Sequence, residues 1–211
     1  MSLRIGIMGG MFDPVHSGHL TAARAAIDGL ALKQLHLVPC ARPNHRQAAT
    51  AHADHRLQML QLASAGDSRL LVDTREIERP GTSYAVDTVA SLAAEQPAAT
   101  LVFVLGLDSF ATLTQWHRWQ DLLMLAHLCV VARPAPVRFA VQLERLLAER
   151  RCQPEQLGDR RAGAIILLDE VSVPVSSTAV REALAVKQLP TGWLPDAVAA
   201  YISSHGLYCN T

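Results

Sequence analysis

The feature that most restricts this chain is a strand, a glycine turn and a helix start packed into one short stretch, Arg4 to Leu20. Ile5, Ile7 and Met8 form the short apolar run expected of a strand covered on both faces of a parallel sheet. Gly9-Gly10 lets the backbone turn sharply and leaves no side chain in a ligand's way. Asp13-Pro14 marks a turn, and an alanine-rich helix is expected over Ser17 to Leu30. His16 and His19 stand at its very start, at a spacing that puts two helical side chains on one face. Unpaired N–H groups and the positive dipole end at a helix start favour an anion. Two glycines, a helix N-terminus and two imidazoles together describe a place for phosphate.

The rest of the chain alternates in the same way. Strands are expected at Leu35–Pro39, Leu70–Val72, Leu101–Leu105, Leu128–Ala132 and Ile165–Leu168. Between them lie expected helices over His52–Ala65 and Tyr84–Ala94, and short helical pieces from Trp116 to Leu125. Cys40–Thr50 and Arg75–Ser83 read as polar loops, and His52 with His55 reads as a polar helix start. Residues 138–161 form an extra helical segment, with Phe139, Leu143, Leu146 and Leu147 as an apolar stripe and charges elsewhere, a solvated face laced with ion pairs. The C-terminal part, 176–211, holds a helix capped by Ser176-Ser177-Thr178 and a last helix from Asp196 to Ser204, ended by Gly206. No repeat or linker divides residues 1–211. The expectation is one α/β domain, a doubly wound, Rossmann-like parallel sheet with helices on both faces. In such sheets ligands bind beyond the carboxyl ends of the strands, where the candidate motifs lie.

Composition narrows the function classes. Half of the 211 residues are hydrophobic and the formal net charge is zero, so a sizeable core is expected and bulk electrostatic binding to nucleic acid is not. No apolar run is long enough to span a membrane, and the start lacks the layout of a signal peptide. Cys40, Cys129, Cys152 and Cys209 are scattered without a CxxC pair, as in a cytoplasmic protein with reduced thiols. The two lysines, Lys33 and Lys187, close no glycine loop, which excludes a P-loop. No two glycines are separated by a single residue, which excludes the dinucleotide fingerprint. HExxH and GxSxG are absent, and no thiol or carboxylate stands at ligand spacing to His16 and His19, so no metal site is assigned to the chain itself.

The string GGMFDPVHSGH closely resembles the GGTFDPxHxGH signature of bacterial nicotinate-nucleotide adenylyltransferases, within the nucleotidylyltransferase superfamily. Pro39 to Arg46 is similar to that family's loop ending in proline, proline, histidine and a basic residue. Ser83-Tyr84, with Asp87-Thr88, resembles its SYTxxT helix start. Gly106-Leu107-Asp108-Ser109 resembles its GxDS turn, with Trp116 following at the family's separation. Val175 to Arg181 is similar to its ISSTxIR motif, and Tyr201 to Tyr208 to its YIxxxGLY ending. Met11, Asn44 and Ala85 depart from the pattern, standing where the family has threonine, proline and threonine.

The resemblance implies transfer of the adenylyl group of ATP to nicotinate mononucleotide, giving deamido-NAD and pyrophosphate. It implies His16, His19, Arg46 and Arg181 as the catalytic set. It implies ATP contacts from Gly9, Gly10, Met11, Phe12, His16, His19, Gly106, Asp108, Ser176, Ser177 and Arg181. The nicotinate nucleotide falls to Tyr84, Ala85, Thr88, Trp116, His117 and Arg46. Mg²⁺ is expected to arrive with ATP, because the ion keeps water and phosphate ligands and seldom has a protein cage. The expected assembly is a monomer or weak homodimer. Two other readings stay open: another HxGH adenylyltransferase, such as that acting on phosphopantetheine, and a nucleotide sensor that binds without transfer.

Overall fold

Alternate residues of the central strands face opposite ways, and both ways are apolar. On β4 (Thr100–Gly106), Val102 and Val104 join one core while Leu101, Phe103 and Leu105 join the other. On β5 (His127–Val131), Cys129 and Val131 separate from Leu128 and Val130 in the same manner. A strand apolar on both faces must be covered on both, at a gain of about 1.5–3 kcal/mol for each large side chain buried. The computed structural model describes residues 3–42, 49–132, 139–158, 160–168 and 175–209. It contains an all-parallel six-stranded sheet in the order β3-β2-β1-β4-β5-β6. The other strands are β1 (Arg4–Gly10), β2 (Gln34–Pro39), β3 (Leu70–Val72) and β6 (Ile165–Leu168). Strand order reverses between β1 and β4, so the crevice for a ligand opens beyond their carboxyl ends, at Gly10 and Gly106.

Helix α1 (Ser17–Leu30) buries Leu20, Ala23, Ala26, Ile27 and Leu30, one face at helical spacing. With α2 (Ala53–Ser64), α8 (Ser177–Ala185) and α9 (Asp196–Ser204) it covers one side of the sheet. The other side is covered by α4 (Ala85–Glu95), α5 (Leu107–Ala111), α6 (Trp119–Leu125) and α7 (Val141–Arg150). A four-residue helix, α3 (Arg75–Glu78), lies inside the stretch expected to be a loop. It is too short to show periodicity and is held by polar contacts instead. Arg75 donates to Asp73 and Glu95, and His36 meets Asp73 at 2.9 Å. Burial alone would raise the Asp73 carboxyl, but the bonds from His36 and Arg75 outweigh it and hold it well below the usual carboxylate range.

Within the segment expected over 138–161, α7 is helical as the stripe predicts, with Leu143 fully buried, and Phe139 just ahead of it meets Phe110 edge to face at 5.4 Å. The segment's charged face is solvated but not laced: among the described residues its arginines reach main-chain oxygens, Arg150 to Gly163 and Arg161 to Pro97. The stabilising order, an acid four residues before a base, is missing, since Ala148 follows Glu144 at that distance. His52 caps α2 beside Asp54, while His55 bonds the Tyr201 hydroxyl on α9 at 2.9 Å. No helix among the described residues is long and apolar enough to cross a membrane.

His127 opens β5 in full burial, at the end of the sheet away from the crevice. Its Nδ1 accepts the Ala164 N–H at 3.1 Å, so the proton of the neutral ring sits on Nε2, which has no partner among the described residues. Burial lowers its pKa, because the charged ring is poorly solvated there. The unfolded chain takes a proton at about pH 6.5 while the folded chain resists it, so stability falls as pH drops below that value toward the folded pKa. His127→Asn keeps an acceptor for Ala164 and removes the titration. Its melting temperature is expected to vary less between pH 7 and pH 5 than that of the wild type. Parallel curves in that window would refute this role.

Candidate active site

Gly10 ends β1, and the chain then folds back so that the Phe12 ring lies 3.2 Å from where a Gly10 Cβ would stand. A side chain at that position would press on the Phe12 ring. Phe12 itself has φ +47°, a conformation that costs a bulky residue of order 1–3 kcal/mol. Burial of its ring to 1 % exposure offsets about that much.

Asp13 is the hub of the turn. Its carboxylate is buried and accepts the N–H groups of Thr50 and Ala51 at 2.6 and 3.1 Å, and the Tyr208 hydroxyl at 2.7 Å. Burial first, and then the neighbouring Asp13, push the Tyr208 phenol far above the usual tyrosine range, so it remains a donor at any working pH. A pocket of about 200 Å³ lined by Thr50, Arg181, Ala185, Tyr208 and Cys209 opens beside it. Arg56 donates to Met11 O at 2.7 Å, Arg181 to Asp13 O at 2.7 Å and Ser177 to Pro14 O at 3.0 Å. The loop is thus held in shape by side chains from α2, α8 and the C-terminal segment.

His16 and His19 come together, though not as two residues of one helix. His16 is the N-cap, in extended backbone at φ −142°, ψ 169°, and His19 is the third helical residue. The rings stack with centroids 3.7 Å apart. The His16 N–H donates to His19 Nδ1 at 3.3 Å, so His19 fills the place that Glu or Gln takes in a capping box. With Nδ1 accepting, the proton of a neutral His19 ring sits on Nε2, the end turned from its own backbone. A Cβ on Gly18 would stand 3.1 Å from the His16 ring and 3.0 Å from Val175, so a side chain between the two histidines would crowd both. The Phe12 ring meets His19 edge-on at 5.0 Å, and Ser17 is tied to Gly192 O and Trp193 O.

Two helices aim their starts at this loop, α1 and α8, the latter capped by Ser176 Oγ accepting from Ala179 N at 3.1 Å. They are also the two α-helices, among the described residues, with no acidic side chain in the first turn. Every other described α-helix carries one there. In α1 and α8 no acidic side chain of the helix's own first turn offsets the positive dipole end, the kind of place that favours an anion.

Across the crevice, Gly106 caps α5 at the end of β4, with Asp108 exposed in the first turn. Tyr84 caps α4 and lies against the His117 ring at 4.2 Å. Trp116 is half-buried, edge-on to Phe103 at 6.1 Å. Gly9 is exposed and Met11 half-buried beside the loop, and Ala85 starts α4. Thr88 does not join this set. Its hydroxyl is buried, donating to Glu76 at 2.6 Å and accepting from Arg79 at 3.0 Å, so it braces the first turn of α4 from within. Arg46 lies outside the described residues. Asp13 as a hub, Tyr208 as its donor and the buried Arg56 escape a reading of the sequence, because each acts through a partner distant in the chain. The one local signal is the helical spacing that puts Arg56 on the same buried face of α2 as Met59, Leu60 and Ala63.

A family model described as cytidylyltransferase-like matches residues 7–183. A probable nicotinate-nucleotide adenylyltransferase of Cellvibrio japonicus is 43 % identical over 206 residues, which cover 97 % of this chain and 98 % of that one. One of Pseudomonas putida is 43 % identical over 207 residues, covering 97 % and 94 %. The solved nicotinic acid mononucleotide adenylyltransferase of Plasmodium falciparum, complexed with NaAD, is 17 % identical with a TM-score of 0.74, over 98 % of this chain and 97 % of its own, a likeness of fold. The likeness to the two bacterial proteins is one of sequence along nearly the whole length, and it places the protein: the chain belongs to the cytidylyltransferase-like family, among the nicotinate-nucleotide adenylyltransferases.

Proposed function

We propose that this enzyme transfers the adenylyl group of ATP to nicotinate mononucleotide, giving deamido-NAD and pyrophosphate. The observation that carries the reading is the pairing across one crevice of a polyphosphate cradle, His16 and His19 between two acid-free helix starts, with an aromatic corner, Tyr84, His117 and Trp116. A phosphate oxygen of the mononucleotide attacks the α-phosphorus of ATP in line as the bond to the pyrophosphate oxygen breaks. That nucleophile is already ionised at neutral pH, so the site has no proton to remove and works by positioning and by stabilising charge. His16 and His19 donate to the reacting phosphate. Ser176, Ser177 and the Arg181 guanidinium, with the start of α8 behind them, hold the oxygens that leave as pyrophosphate. Asp108 takes ribose hydroxyls, while Tyr84, Ala85, Trp116 and His117 receive the pyridine and its carboxylate. The donors on the cradle are imidazoles, a guanidinium and N–H groups, which suit phosphate oxygens and not a hard cation, so Mg²⁺ enters on the nucleotide with phosphate and water ligands.

The test is pyrophosphate release from ATP with the acceptor varied. Release with nicotinate mononucleotide, and not with phosphopantetheine, is the expected result. Release with phosphopantetheine alone would make the chain a different adenylyltransferase, and ATP binding without release under any acceptor would make it a sensor.

A further inference from the structure

Arg56, in the first turn of α2, is 1 % exposed, and it is among the largest side chains that are fully buried. A cation taken out of water carries a large desolvation penalty unless something nearby compensates for it. Among the described residues the partners of this guanidinium are main-chain carbonyls and not a carboxylate: Nη1 donates to Met11 O at 2.7 Å and Nε to Ala51 O at 3.3 Å. The acid of the same region, Asp13, has its oxygens engaged by Thr50 N, Ala51 N and the Tyr208 hydroxyl. With Arg56 on Met11 O, Arg181 on Asp13 O and the Tyr208 hydroxyl on the Asp13 carboxylate, these groups form one charged cluster beneath the loop. In a trans peptide the C=O and the following N–H point in opposite directions. Because the Met11 carbonyl is drawn to Arg56, the Phe12 N–H points away from Arg56.

We propose that Arg56 is a positioning residue for the ligand's phosphates: it fixes the Met11–Phe12 peptide so that the Phe12 N–H faces a phosphate oxygen, and it places a permanent positive charge behind that donor. The proposal rests on reading the loop as the polyphosphate site. It gives a reason for keeping a cation buried beneath the loop on main-chain carbonyls, since the nucleotide brings further negative charge above it. Two effects are joined in one side chain, and two substitutions separate them. Arg56→Gln keeps a donor and loses the charge; Arg56→Lys keeps the charge and loses the fork that spans both carbonyls.

The experiment measures ATP affinity by calorimetry on the full chain, alongside kcat and KM for transfer and the melting temperature without ligand. Arg56→Gln is expected to weaken ATP binding roughly tenfold or more, the scale of one charge acting across several ångströms of protein. Arg56→Lys is expected to bind ATP within about threefold of wild type but to lose roughly tenfold in kcat, because the peptide is no longer pinned. Wild-type Kd and kcat in a folded Arg56→Gln protein would overturn the proposal. If that variant does not fold, Arg56→Lys decides: lowered kcat at near-normal Kd supports the role, and normal kcat overturns it. Should the wild type bind ATP yet release no pyrophosphate, the transfer reading falls, while the Kd comparison still decides on Arg56.

Discussion

Offered nicotinamide mononucleotide in place of the acid, the enzyme is expected to lose roughly 10⁴-fold in kcat/KM. The cause lies at the start of α4. The first N–H groups of a helix have no acceptor within it, and Tyr84, at the cap, provides none from its side chain. The N–H groups of Asp87 and Thr88 turn back to Tyr84 O at 3.1 and 3.2 Å, which leaves those of Ala85 and Val86 as the outward donors. A carboxylate offers acceptors to both. An amide turns its own N–H₂ toward them, and buried donors are then left facing a donor. Ala85→Pro isolates this effect. Proline is tolerated at the first helical position, and Tyr84, at φ −114°, ψ 131°, already has the extended backbone that precedes proline. The substitution removes one donor and keeps the helix. Use of nicotinate mononucleotide is expected to fall roughly 10- to 100-fold, the worth of a hydrogen bond to a charged group, with the nicotinamide compound little affected. Equal kcat/KM for the two compounds in the wild type would sink the assignment, as would an unchanged ratio in Ala85→Pro.

His19→Ala is expected to lower kcat by roughly 10²- to 10³-fold while the KM for ATP changes far less, as when one preorganised donor is removed from an oxyanion site. The imidazole has a structural duty too, since His19 Nδ1 accepts the His16 N–H and its ring stacks on that of His16. His19→Gln separates the two duties, because glutamine at the third helical position restores the reach-back bond of a capping box. Its melting temperature is expected near that of the wild type, with kcat still depressed because the Nε2–H donor is no longer where the ring placed it. A wild-type kcat in His19→Ala would remove the residue from the reaction. Recovery of full activity in His19→Gln would reduce its part to holding the helix start.

Much of the architecture was open to a reading of local pattern. The β-strands fall on the apolar runs, three of them ending at glycine or proline, and α1 spans the residues that its alanine-rich period predicts, Ser17 to Leu30. The reason is that a buried parallel strand and an amphipathic helix each write their packing into consecutive residues. Short elements escape that rule. α3 has one buried residue, Glu76, and exists because Arg75 reaches Asp73, Ser91 and Glu95. Thr88 misled for a related reason. Its place in a motif says that it matters, but not whether its hydroxyl faces the crevice or, as here, Glu76 and Arg79.

The sequence by itself determined that this chain forms a doubly wound sheet and that a glycine turn, a helix start and two histidines follow its first strand, because these features are contiguous. It also named the family, through motifs spread from Gly9 to Tyr208. Tertiary structure decided how the site is held. Asp13 meets a tyrosine 195 positions away, Arg181 bonds a carbonyl 168 positions away, and Arg56 spans 45 residues to reach Met11. Such contacts leave no period in the sequence, since they arise when the sheet brings loop, helix and C-terminal segment to one crevice. Even the histidine pair was legible only as a spacing. That His16 stands outside the helix, stacked on a ring inside it, follows from the cap geometry and from the bare backbone of Gly18.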